Sequence, residues 1–147
     1  MLVLPIKKKW FDMIISGEKK EEYREIKPYY DIRFKKYMPR SNNFRNEYIS
    51  SEFFIVFRNG YNYNSPSVKC RCVVDIGTGK EKWGAIPGKR YYVLKIIEII
   101  EIRNLRELDI FEKMKDNLIK NLSLDMKIGI DLGKGESISA ETIKAKM

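Results

Sequence analysis

Gly17-Glu18-Lys19-Lys20-Glu21-Glu22-Tyr23-Arg24 is the stretch on which the fold turns, because it sets a lysine, a glutamate and an arginine at fixed spacing directly after a glycine. Upstream, Ile6, Trp10, Met13 and Ile14 recur at helical spacing, which predicts an amphipathic helix over residues 7–16. Gly17 supplies the backbone freedom that ends such a helix. The chain then leaves extended, and in a strand Glu22 and Arg24, two residues apart, point to one face. Lys19 falls at the turn beside them. A helix running on through Gly17 is the competing reading. It places Glu18 near Glu22 and Glu21 near Arg24 or Glu25, a solvated surface, and residues 20–26 have no apolar face in either period.

Around this stretch the pattern is that of alternating strands and short helices. Residues 2–6 read as a short apolar strand ended by Pro5. Residues 28–38 carry Tyr30, Phe34 and Tyr37 at helical spacing, interleaved with Arg33, Lys35 and Lys36, so the aromatics form either a core face or a base-stacking platform. A polar loop is expected over residues 41–46. The apolar run of residues 53–57, closed by Arg58-Asn59-Gly60, predicts a central strand. In residues 68–76, Val68, Cys70, Cys72 and Val74 alternate with Lys69, Arg71 and Val73, the pattern of a half-buried strand with a basic outer side. A glycine-punctuated loop over residues 77–88 leads to a long strand or bent strand pair over residues 91–102. Its glycines satisfy neither dinucleotide nor P-loop spacing. Asn104-Leu105-Arg106-Glu107 has the form of a capping box, and Leu105, Leu108, Phe111, Leu118, Ile119 and Leu122 predict a helix with a buried stripe. Gly129, Gly133 and Gly135 are expected to break the chain before a short terminal helix near residues 139–146.

At 147 residues the chain is long enough to bury one sizeable core without disulfide or metal support. It has no apolar run of the length needed to span a membrane, and its first residues lack the order of a secretory signal. The sequence therefore predicts a cytoplasmic protein without a membrane segment. Cys70 and Cys72, at i and i+2, are poorly placed for a disulfide, and with no histidine in the chain they cannot complete a zinc site. No metal and no cofactor is expected.

Charge is the second signal. Residues 1–97 hold 20 basic and 10 acidic side chains, whereas residues 98–147 hold 9 and 10. Such an excess in one part of a basic chain suits a polyanion, although a solvated lysine-rich surface gives the same count. Lys7, Lys8 and Lys9 open the predicted first helix, where the macrodipole disfavours cations by ~0.3–1 kcal/mol each. Phosphate contact or exposure to water would each account for them.

Gly17-x-Lys19-x-x-Glu22-x-Arg24, following a strand and a helix ending in Ile14-Ile15-Ser16, resembles the GxKxxExR signature of ASCH domains, small β-barrels related to the PUA fold. Phe57-Arg58-Asn59-Gly60-Tyr61, Trp83-Gly84-Ala85, Pro87-Gly88 and Tyr91-Tyr92-Val93-Leu94-Lys95-Ile96 resemble a subgroup common in phage and bacterial genomes. The resemblance covers roughly residues 2–100. It implies an α+β fold, with a small PUA-like β-barrel and flanking helices over residues 1–102 and a C-terminal helical extension over residues 103–147 packed on it. It also implies a cleft beside the signature residues that binds RNA, with nuclease activity in some members. One branch hydrolyses acylated cytidine with the signature lysine, a threonine three residues later and a glutamate. Lys19 matches that lysine, but Glu22 stands where the threonine would be, so that chemistry does not carry over.

Three functions follow as expectations. In the first, the chain is an RNA-binding module in which Lys7, Lys8, Lys9, Lys19 and Arg24 meet phosphate or a base edge. Glu22 orients Arg24 or accepts from a base amino group, and Arg58, Tyr61 and Trp83 add charge and stacking. The second is a hydrolase acting on RNA or a nucleoside, with Lys19, Glu22 and Arg24 as catalytic groups. In the third, the protein inhibits a host nucleoprotein, using the C-terminal extension as a partner surface.

Overall fold

The computed structural model describes residues 1–42, 47–49 and 51–131. Strand β1 (Leu2–Pro5) leads into helix α1 (Lys8–Ile15), then strand β2 (Glu21–Arg24), helix α2 (Pro28–Phe34) and a single 3-10 turn (Lys35–Tyr37). Strands β3 (Arg40–Asn42) and β4 (Glu47–Ile49) pair as an antiparallel ribbon. Ser41 and Asn42, expected in a polar loop, instead pair with Tyr48 and Glu47 as strand residues; residues 43–46 of that expected loop lie outside the described residues. Strands β5 (Phe53–Arg58), β6 (Ser67–Thr78) and β7 (Arg90–Arg103) follow, with a 3-10 turn (Glu81–Trp83) before β7, and helix α3 (Glu107–Asp131) ends the described chain.

Five strands form one sheet in the order β1-β5-β6-β7-β2, with β1 parallel to β5 and every other pair antiparallel. The fold is therefore α+β. The sheet is not closed into the expected barrel: β1 and β2 are its edges and no strand pairing joins them. A side chain spans the gap instead, since Arg24 Nη2 on β2 donates to the Pro5 carbonyl of β1 at 2.7 Å. Proline suits such an edge because it has no N–H to leave unpaired.

The alternation in β6 positions the core as the sequence suggests, with Val68, Cys70, Cys72 and Val74 all buried. They pack with Leu4, Ile55, Phe57 and Leu94, and with Phe11, Ile14 and Ile15 from α1 and Phe34 from α2. Full burial of side chains of this size contributes about 1.5–3 kcal/mol each. Tyr30 and Tyr37 flank this core, with Tyr30 stacked on Phe34 at 5.6 Å and Tyr37 on Phe53 at 4.1 Å. Strand β5 is interior, yet its apolar run is buried on one face only, and Phe54 is exposed. In β7 two register shifts opposite Lys69–Cys70 and Arg71–Cys72 leave Ile97 and Ile100 as extra residues, which bends the long hairpin.

The C-terminal reading needs correction. Asn104 adopts φ +59°, outside the extended region of an N-cap, and donates to the Ser65 carbonyl; the helix begins at Glu107. Leu108, Phe111, Leu118 and Ile119 face solvent rather than a core. The reason lies in what this segment packs against. The polar side of α3 faces α1 and the turn after it, where Lys113 pairs with Asp12 at 3.0 Å, Lys120 with Glu18 at 2.9 Å, and Asn117 donates to the Ser16 carbonyl. Leu105 and Ile110, at the start of the segment, pack against the main core, while the later residues of the expected stripe are on the outer side. Helix α3 also continues through Gly129 to Asp131, and the terminal helix expected near residues 139–146 lies outside the described residues.

Candidate functional site

The site begins with the way α1 ends. Its N-terminus has no acidic residue in the first turn, and Lys7 makes no side-chain cap. At the other end Gly17 takes φ +84°, and its N–H donates to the Ile14 carbonyl at 3.0 Å. The backbone N–H of Lys19 returns to the Met13 carbonyl at 2.9 Å, and the Lys20 carbonyl accepts from Ile96 N–H at 2.9 Å. The chain is thus pinned to the helix on one side and to β7 on the other. These bonds carry Lys19 into the protein and start β2 one residue beyond Lys20.

Within β2, Glu22 lies opposite Leu94 and Arg24 opposite Tyr92, so the two share a face and Tyr23 takes the other. Tyr23 joins Trp83, Ala85, Tyr91 and Val93 in a second, smaller core. Its hydroxyl donates to Glu21 and accepts from Lys80 N–H, both at 2.9 Å, and burial raises its pKa well above the ordinary tyrosine range.

Lys19 is the least expected group in this protein. Its residue is 1 % exposed, and Nζ donates to the Trp83 carbonyl at 2.8 Å while lying 5.0 Å from the ring centres of both Trp10 and Tyr23. Glu22 Oε1 stands 3.7 Å from that ammonium and accepts the Tyr23 backbone N–H at 3.0 Å. Burial lowers the Lys19 pKa; Glu22 opposes the shift and Arg24 adds to it. Arg24 donates through Nη1 to the Tyr30 hydroxyl at 3.3 Å, and its Nη2 lies 4.0 Å from Glu22 Oε2. Glu22 Oε2 and Arg24 Nε are both buried without a hydrogen-bond partner.

Glu22 and Arg24 line a groove of about 480 Å³ between the ends of β1 and β2. Trp10, Tyr30 and Tyr91 supply aromatic walls, and Lys7 and Lys27 supply cations. Glu25, also on the rim, faces Lys89 at 3.6 Å and Lys27 at 4.0 Å. The arrangement offers flat surfaces for a ring, a guanidinium and an acceptor carboxylate close together, and ammonium groups at the edge. Among the described residues no group of three acidic or cysteine side chains is placed to hold a metal ion.

The structure brings Lys19, Glu22 and Arg24 together, with Lys7 at the same groove. Other expected site residues lie elsewhere. Lys8 pairs with Asp12 at 2.6 Å, and Lys9 lies over Trp10 at 4.6 Å. Trp83 is buried, contributes its carbonyl to Lys19, and has Lys80 and Lys82 over its indole. Tyr61 is exposed on the β5–β6 loop, and Arg58 opens into a different cavity. Trp10, Tyr91 and Lys27 line the groove without having been singled out as site residues by the sequence, whereas Tyr30 belongs to the aromatic run read as either core face or stacking platform. Three of them are aromatics whose spacing reads equally well as core, and no local signal separates the two roles.

No protein-family model matches the chain, and neither a curated protein nor a solved structure is similar enough to count as a match.

Proposed function

We propose that this chain is a nucleic-acid-binding module that holds RNA in the groove between β1 and β2. The observation that carries the reading is the Glu22–Arg24 ion pair, 4.0 Å apart, lining an aromatic-walled groove. Where these two side chains open into the groove, a base edge can donate to the carboxylate and accept from the guanidinium. The part-exposed rings of Trp10 and Tyr30 offer surface for stacking, with Tyr91 buried behind them, and Lys7 and Lys27 stand where phosphates follow. In this reading the sheet is a PUA-like barrel left open between β1 and β2, with the Arg24–Pro5 bond in place of strand pairing.

The hydrolase alternative needs Lys19 as a base or Glu22, which lines the groove, as general acid or base; the first of these requires Lys19 to reach a substrate. Its side chain is out of contact with solvent and its ammonium is engaged by the Trp83 carbonyl, which makes it a group that positions Glu22 and the Trp83 loop. The protein-partner alternative rests on the exposed stripe of α3, and a pull-down with and without nuclease separates direct from RNA-bridged capture.

Fluorescence anisotropy of labelled single- and double-stranded RNA and DNA, at two salt concentrations, tests the proposal. Arg24→Ala is expected to weaken RNA binding at least about tenfold, and Lys7→Ala and Lys27→Ala each to lower the salt slope by about 1. Equal binding by the parent and all three variants overturns it.

A further inference from the structure

Arg58 ends β5 partly buried, and among the described residues its guanidinium makes no hydrogen bond, ion pair or ring contact; its Nε is closed off from solvent without a partner. It lines a cavity of about 320 Å³ with Lys69 of β6 and Arg103 of β7. The acid on this cavity is Glu101, which is taken by Arg103 Nε at 2.9 Å. Lys69 is the register partner of Glu101 and holds its ammonium over the Phe54 ring at 5.0 Å, so among the described residues Arg58 is the cation of this wall that has no charged partner; Tyr63 and Ser67 also line the cavity.

We propose that this cavity is a phosphate-binding site centred on Arg58. A planar guanidinium with an ammonium across a small concave wall suits an oxyanion that can accept from several donors at once. Three cationic side chains to one acid suit an anion, and the tetrahedral oxygens of a phosphate, whether free or in a backbone phosphodiester, accept from more directions than a planar carboxylate. The cavity is distinct from the groove yet adjoins it: Arg58 is the register partner of Pro5, whose carbonyl accepts Arg24 Nη2 at 2.7 Å. Neighbouring strands lie about 4.8 Å apart, so a chain leaving the groove over the end of β1 reaches Arg58 within a nucleotide or two. That source of phosphate rests on the RNA reading; the site itself does not.

Two measurements separate them. In the first, inorganic phosphate is titrated into arginine-labelled protein while the Nε–Hε resonance of Arg58 is followed, with acetate at equal ionic strength as control. A saturable shift with phosphate alone, abolished by Lys69→Met, is expected. In the second, RNAs of one, four and ten nucleotides are bound to the parent, Arg58→Met and Lys69→Met. Loss of about tenfold and of about one unit of salt slope in each variant, for the longer RNAs only, identifies the source as the strand's own backbone. A phosphate shift with unchanged RNA binding identifies a free phosphate compound and still supports the site. If the parent binds no RNA, the groove reading fails and the phosphate titration alone decides. No saturable phosphate shift, together with no variant-specific loss of RNA binding, overturns the site.

Discussion

Replacing Lys19 by methionine keeps an unbranched side chain of similar reach and removes only the ammonium, so it isolates what that charge does. Two groups lose a partner. The Trp83 carbonyl loses its 2.8 Å donor, and Glu22 loses the cation at 3.7 Å while keeping Arg24 at 4.0 Å. A buried acceptor left unmade costs about 1–3 kcal/mol, and removing one partner of a buried ion pair costs about 3–5 kcal/mol. The methionine also escapes the desolvation that Lys19 bears, so the net loss is expected near 3 kcal/mol, roughly 10 °C in Tm for a domain of this size. Adding Glu22→Gln removes the stranded carboxylate, and the double variant should recover at least about 1 kcal/mol relative to additivity.

The pH dependence gives an independent check. Burial, above all, holds the folded-state Lys19 pKa below its ordinary value of 10.5. Between that lowered value and pH 10.5 the unfolded chain keeps a proton that the folded chain has released, so parent stability rises with pH across the window. Methionine cannot titrate, and the stability gap between parent and variant should widen as pH climbs toward 10.5. Urea denaturation followed by tryptophan fluorescence reads both effects, since Trp10 and Trp83 adjoin the ammonium. A gap under about 0.5 kcal/mol that does not change with pH would refute the buried placement of Lys19.

Two further outcomes follow from packing around the site. Gly84 has φ +99°, and a Cβ there would meet the Trp10 ring at 2.8 Å, so Gly84→Ala should cost about 2–3 kcal/mol in denaturation and weaken RNA binding by displacing a groove wall. Cys70 and Cys72 are fully buried, and burial pushes the Cys70 thiol up to about 12 and the Cys72 thiol higher still. Both should resist a thiol-specific disulfide reagent at pH 8 in the native protein and react within the dead time in denaturant; prompt native reaction of either contradicts their placement.

Parts of the site were readable before any coordinates because they depend on short-range rules. The glycine closing α1, together with the resemblance of residues 17–24 to the GxKxxExR signature, puts Glu22 and Arg24 on one face of a strand with Lys19 at the turn, whereas periodicity alone left a continuous helix open. The burial of Lys19 could not be read there. It depends on the Trp83 carbonyl, 64 residues away, being brought over the turn by the loop before β7. Tyr30 and Tyr91 become groove walls only because α2 and β7 converge on the end of β1. The stripe of α3 misled for a related reason: helical periodicity reports an apolar face but not its direction, and here Leu105 and Ile110 pack on the core while Lys113 and Lys120 meet Asp12 and Glu18.

The sequence by itself determined helix α1, strands β5, β6 and β7 and the face on which Val68, Cys70, Cys72 and Val74 are hidden, because alternation and helical spacing are properties of neighbouring residues. Tertiary structure alone decided that the sheet stays open between β1 and β2, that Arg24 spans the opening to Pro5, and that Arg58 belongs to a separate cavity. Those outcomes depend on where distant segments stop relative to one another, a quantity that no local spacing of residue types encodes.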